Sequence, residues 1–359
     1  MKKILFGIVI GVVVVGLVMA GLGVMLLNRP LAPGLKLTPL ASAAALAPAS
    51  AEGPQVGAEV ESEATTIPPP ITPTSTAPTF TPLSASPTVQ AKSVCGSGAM
   101  TMLLLGESTP DPEHKRGADA IRLLRVDFDH QAVTILSIPP DLWVKTSAMT
   151  GFDSTSLTRA FWEVKTATVG SEREAIRQAT QIVAQALLDN FGFAPDHYLT
   201  INEPVFVSLV DTLGGIEVNI PERIDGREEG RGVFEAGSQV LNGKRALDYL
   251  RILKPNNQPW PDEWDRFKRQ NQILSAIRNE ISRPENAAAI PSLVNQFYQL
   301  VVTDLNPNQL LDLNCMIDAV EDNIIMLRIG SDMVKFDAKG HMIPDETEIR
   351  SLIEASFKQ

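Results

Sequence analysis

The chain has 359 residues, 44% of them apolar, and a formal charge of −11, so it is long enough to bury a sizeable core. Two cysteines are too few for a disulfide-stapled mini-protein, and the acidic balance argues against a nucleic-acid binder, which carries a basic face. The four histidines (His114, His130, His197 and His341) lie too far apart in sequence to form a local metal box.

Met1-Lys2-Lys3 is followed by Ile4 to Leu27, 24 residues without a charge. As a helix this run spans about 36 Å, enough for a bilayer core of about 30 Å. The lysines before it and the lone Arg29 after it predict a single-pass anchor in the cell membrane, with the C-terminal domain extracytoplasmic. A cleaved signal peptide is the alternative, but its apolar core is normally about 7–15 residues. Residues 28–94 hold 12 of the 26 prolines and one aromatic, Phe80, and are expected to form a disordered linker. The folded part is expected over residues 95–359, where 26 Lys and Arg face 38 Asp and Glu. Cys95 and Cys315 both lie in it. An extracytoplasmic location permits a bridge between them; the alternative is two unrelated buried thiols.

Met100–Leu105, Ile121–Val126 and Val133–Ile138 read as buried strands. Ser171 and Glu174 read as a capping box. Behind it Ile176, Ala179, Val183 and Leu187 keep helical spacing until Gly192. Then come a strand at His197–Ile201, a helix from Pro204 to Gly214 and a strand at Ile216–Ile220. A helix at Trp264–Ile281, another from Asn306-Pro307, a strand at Ile324–Leu327 and a last helix at Thr347–Phe357 follow. Short apolar strands separated by helices predict an α/β domain, and the tight turns between some strands predict a mixed sheet. The loop after Asp225 lacks the spacing of a calcium site and reads as a solvated excursion. Trp162, Trp260 and Trp264 read as core, with a glycan groove as the alternative. Arg122 and Arg125 on the second strand read as edge or face cations rather than ligands.

Six segments carry a functional message. They are Leu103-Leu-Leu-Gly106, Arg116-Gly-Ala-Asp119-Ala-Ile-Arg-Leu-Leu, Leu136-Ser-Ile-Pro-Pro-Asp141, Phe206-Val-Ser-Leu-Val-Asp-Thr-Leu-Gly-Gly215-Ile-Glu-Val-Asn-Ile-Pro221, Ala236-Gly-Ser-Gln-Val-Leu-Asn-Gly243-Lys-Arg-Ala-Leu-Asp-Tyr-Leu-Arg251 and Asp265-Arg-Phe-Lys-Arg269-Gln270-Asn-Gln-Ile-Leu. As an ordered set over about residues 100–280 they resemble the LytR-CpsA-Psr family of cell-envelope proteins. The resemblance implies an α/β/α sandwich around a central mixed β-sheet, with an apolar tunnel for a lipid. It implies a phosphotransferase that moves a glycopolymer from a polyprenyl-pyrophosphate carrier to a cell-wall polymer. Its partners would be the lipid-linked glycan, the wall and the membrane, and its cofactor Mg2+.

Carried onto this sequence, the resemblance makes Asp119, Arg251 and Arg266 catalytic. Arg116, Arg269, Gln270 and Lys254 would bind substrate, and Asp119 and Glu107 would hold the metal. Guanidinium forks and magnesium suit this chemistry because a diphosphate carries several charges and develops more on the leaving phosphate. Four positions depart from the family pattern. Ser108 stands for an aspartate, and Gly117, Pro140 and Leu253 stand for arginines. One lost transition-state donor commonly costs about 10²–10³ in rate, so the expectation is a slow or altered enzyme. A non-catalytic module binding polyprenyl phosphate or glycan is the alternative.

Overall fold

The computed structural model describes residues 30, 32–38, 95–111, 115–146, 150–257, 263–281, 283, 301–320 and 323–358. The anchor expected over 4–27 and most of the linker expected over 28–94 lie outside them. Among the described residues no helix is long and apolar enough to cross a membrane.

Strand β1 (Ala99–Asp111) runs antiparallel to β2 (Arg116–Asp127), and β2 antiparallel to β3 (Ala132–Ile138). A small hairpin, β4 (Trp143–Lys145) and β5 (Ser154–Ser156), leads into helices α1 (Leu157–Ala167) and α2 (Glu172–Phe191). Strand β6 (His197–Asn202) returns parallel to β1, and α3 (Glu203–Thr212) follows without a gap. Next come β7 (Ile216–Ile220), a hairpin of β8 (Ile224–Asp225) and β9 (Val233–Phe234), and β10 (Gly237–Leu241) antiparallel to β7. Helices α4 (Gly243–Arg251) and α5 (Glu263–Ile281) then lead to β11 (Val302–Thr303), antiparallel to β6. The chain closes with α6 (Pro307–Ala319), β12 (Ile324–Arg328) parallel to β3, a hairpin of β13 (Val334–Phe336) and β14 (Met342–Pro344), and α7 (Glu346–Phe357). The central sheet has the order β11-β6-β1-β2-β3-β12 and is mixed.

Strand alternation divides the core into two faces. Leu103, Leu105, Ile121, Leu123, Leu136 and Ile138 point to one face, where they pack against α1, α2 and α7. Met100, Met102, Leu124, Val126, Val133 and Ile135 point to the other, against α6. A third cluster joins α3, α4 and α5 to the β7–β10 hairpin.

Local chemistry sets the helix ends. Ser171 accepts from the Glu174 amide, and Gly192 ends α2 in the left-handed conformation at φ 69°. The Glu174 carboxylate does not turn back to complete a capping box; it pairs with Arg177. The full box forms instead on α6, between Asn306 and Gln309.

Cys95 and Cys315 are bridged, with Cα atoms 5.1 Å apart and 220 residues of chain between them. Residues 32–38, expected as part of the linker, lie on the domain. Ala32 joins the first core, the Tyr198 hydroxyl donates to the Pro33 carbonyl, and Gln185 bonds both the amide and the carbonyl of Thr38. Trp264, weighed as a groove residue, packs partly buried against the first core, and Trp260 lies outside the described residues.

Candidate functional site

The β1–β2 ladder slips by one residue at its far end. Gly106 pairs with Ala120 but Glu107 pairs with Ala118, so Asp119 has no partner across the ladder. Such a bulge re-aims a side chain that strict alternation would send to the opposite face. Helix α1 secures it, because Thr158 Oγ1 accepts from the amides of both Gly117 and Ala118 at 3.2 Å. The approach is so close that a Cβ on Gly117 would sit 2.7 Å from the Trp162 backbone nitrogen. That accounts for the glycine where the family pattern has an arginine. One residue earlier, Arg116 reaches the site. It donates to Asp119 Oδ1 at 3.0 Å and grips both oxygens of Asp141 at 2.8 and 2.9 Å.

Arg251 arrives from the other layer. Helix α4 begins at Gly243, whose missing side chain lets it lie against the Val207 carbonyl of α3. The helix ends at Arg251, which bridges Glu203 Oε1 at 2.5 Å and Asp119 Oδ2 at 3.4 Å. Glu203 is the first residue of α3 and Arg251 the last of α4, so each charge also suits its helix dipole.

These groups border a cavity of about 160 Å³ between the sheet and α3, α4 and α5. Its walls are apolar, with Leu104, Leu199, Ile201, Phe206, Leu250 and Leu274 among them. Its polar lining is Glu107, Asn202, Glu203, Asp119, Arg122, Arg251 and Gln270. Gln270 ties two of these together: its amide nitrogen donates to the Asp119 carbonyl, and its oxygen accepts from Arg122 Nη2, both at 3.3 Å.

Burial alone would raise the Asp119 pKa, but Arg116, Arg266 and Arg251 together hold the carboxyl below its ordinary value. Glu107 goes the other way. Its burial outweighs the ion pair with Lys165 and raises it. Arg122 has no carboxylate beside it among the described residues, and burial pushes it down to about 10.

The cavity therefore collects Asp119, Arg251, Gln270 and Glu107 of the residues expected from sequence, with Arg116 joined through Asp119. Like Arg116, three further expected residues do not line it. Arg266 is 1% exposed and pairs with Glu263, so it touches Asp119 only through its field. Arg269 donates to the Tyr249 and Ile252 carbonyls at the end of α4, beside Arg251. Lys254 is exposed, and its amide is held by Glu229 from the loop read as a solvated excursion. Two charged lining residues were missed from sequence. Glu203 belongs to none of the motifs, and Arg122 was read as a face cation.

The chain belongs to the LytR_cpsA_psr family, whose model matches residues 76–358. It is similar to the polyisoprenyl-teichoic acid–peptidoglycan teichoic acid transferase TagV of Bacillus subtilis, 27% identical over 53% of this chain and 46% of that protein. It is also similar to the transferase TagU of Bacillus licheniformis, 26% identical over 72% of this chain and 77% of that protein. The match thus spans about half the length of TagV. In fold it is similar to the crystal structure of B. subtilis TagV, with a TM-score of 0.55 at 20% identity over 73% of this chain and 98% of that one.

Proposed function

We propose that the protein is a cell-envelope phosphotransferase. It would move a glycopolymer from a polyprenyl-diphosphate carrier to a hydroxyl of a cell-wall polymer, with residues 4–27 anchoring it in the membrane. The cavity carries this reading: an apolar slot whose polar lining unites Asp119, Arg251, Arg122 and Gln270. An isoprenoid tail needs such walls, and a diphosphate needs guanidinium forks beside them. TagV and TagU, named above as polyisoprenyl-teichoic acid–peptidoglycan teichoic acid transferases, support the same chemistry.

In the transfer, the acceptor oxygen bonds to the phosphorus next to the glycan. The bond from that phosphorus to the bridging oxygen breaks, and polyprenyl phosphate leaves with the electron pair. The hydroxyl proton passes to water or a base. Asp119 is a poor base because its cations hold its pKa down, and its role is to hold Arg116 and Arg251 in place.

A magnesium ion that shares substrate phosphates needs only one or two carboxylates. Asp119 and Glu107 lie on neighbouring strands and both line the cavity, and Glu107 Oε2 is buried without a hydrogen-bond partner among the described residues. They fit such an ion, which would neutralise charge on the diphosphate.

A second reading, a non-catalytic binder of the same lipid, draws support from the internal pairing of Arg116 with Asp141 and of Arg266 with Glu263. The test is the full chain in detergent with a polyprenyl-diphosphate-linked glycan, peptidoglycan and magnesium. Glycan joined to the acceptor, with one polyprenyl phosphate released per transfer, is the expected result. Lipid binding without transfer supports the second reading, and neither binding nor transfer overturns both.

A further inference from the structure

We infer that Arg122 is a second guanidinium ligand for the phosphate oxygens of the lipid, placed in the slot from strand β2. The inference rests on the reading of the cavity as a lipid-diphosphate site. Arg122 is 5% exposed and lines the cavity beside Asp119 and Gln270. Its only hydrogen bond among the described residues is the one from Nη2 to Gln270 Oε1. A guanidinium has five N–H donors, so the rest of the fork is unused.

The carboxylates around it are already matched. Glu107 pairs with Lys165, Asp119 with Arg116 and Arg251, and Glu203 with Arg251. Arg122 is the cation left over. Leaving a charge in an apolar slot is costly, and a fold that only needed packing there would use an apolar side chain. An arriving anion removes that cost. Its oxygens would also meet Arg251, the other arginine that lines the cavity. In the sequence Arg122 falls within the segment that begins at Arg116, yet it reads there as an edge or face cation. The bulge at Asp119 creates it, by bringing Asp119 to the same cavity as Ala120 and Arg122.

The test uses the full chain in detergent, titrated with undecaprenyl diphosphate, undecaprenol and inorganic pyrophosphate, together with Arg122→Met and Arg122→Lys. Arg122→Met is expected to weaken binding of undecaprenyl diphosphate by about 10- to 100-fold, the value of one charge-assisted hydrogen bond. It should leave undecaprenol binding unchanged and raise the melting temperature of the ligand-free protein. Arg122→Lys should retain part of the affinity.

Equal diphosphate binding by wild type and Arg122→Met would overturn the inference. A lowered melting temperature with loss of both lipids would do the same, because it marks a structural residue. If the wild type binds pyrophosphate but neither lipid, the lipid-transfer reading falls, and the anion site stands provided that Arg122→Met abolishes pyrophosphate binding. Failure of the wild type to bind either diphosphate removes both.

Discussion

The two faces of the central sheet are made by the same strands and have opposite character. The face under α1, α2 and α7 is dry and continuous, with Leu103, Ile121, Leu123, Leu136, Ile138 and Phe161 all fully buried. The other face is broken. Its strand residues pack on α6 toward the start of β1, but toward Gly106 the packing opens into the cavity, and Asp119, Arg122 and Arg251 take the place of core. Strand alternation lets one face supply stability while the other gives up packing for charge. The bulge at Asp119 and the glycine at 117 fasten the charged end to the packed face through α1.

If that division holds, damage to the packed face should lower stability and damage to the open face should lower function. Phe161→Ala should cost about 3–5 kcal/mol in a denaturant melt, because the ring is fully buried in the first core. Phe206→Ala on the cavity wall should cost clearly less and weaken polyprenyl binding instead. Equal costs for the two would erase the contrast. Asp119→Asn should leave the melt closer to wild type than Phe161→Ala does, yet reduce transfer by about 10²–10³ as Arg116 and Arg251 lose their common anchor. Gly117→Ala sharpens the link between the faces. Its Cβ would press on the α1 backbone and on Phe161, for an expected loss of about 1–3 kcal/mol. Restoring an arginine at 117 should therefore fail to restore activity.

Much of this architecture was legible in the sequence. Apolar runs mark all three long strands, and Ser171 and Gly192 bound helix α2 in the sequence as they do in the structure. Helix α1 was not read although its signal is present: Leu157, Ala160, Phe161 and Val164 have helical spacing and are all buried. Helix α4 is harder, because Gly243 at its start looks like a turn residue until the backbone of α3 is seen against it. The site was legible only as far as motifs reached. Asp119, Arg251 and Gln270 line the cavity, whereas Arg269 and Lys254 carry the right charge and do not line it. Arg122 was misread because a bulge is invisible to a period-two pattern, and one slipped residue decides which side chains share a face. Ser108, which stands where the family pattern has an aspartate, is buried beside Glu107 with no hydrogen-bond partner for its hydroxyl among the described residues, and nothing in the structure explains the replacement.

The smallest expected effect concerns Glu107, where the open face buries a carboxylate that would be more stable in water. Burial is the larger influence and the Lys165 ion pair the smaller, so the folded pKa lies above the unfolded one. For a carboxyl shifted in that direction the folded state holds more protons than the unfolded. The associated stability is full below the ordinary glutamate range and is lost as pH rises through the folded pKa. Glu107→Gln removes the titration, and Lys165 keeps Glu172 as a partner at 3.3 Å. The shift at Asp119 has the opposite sign and remains in both proteins, so it cancels in the difference. The variant should melt above wild type at about pH 8, with the gap closing toward about pH 4. A variant less stable than wild type at the higher pH would mean that Lys165 outweighs burial, and that the charged end of the cavity is held together more tightly than its desolvation implies.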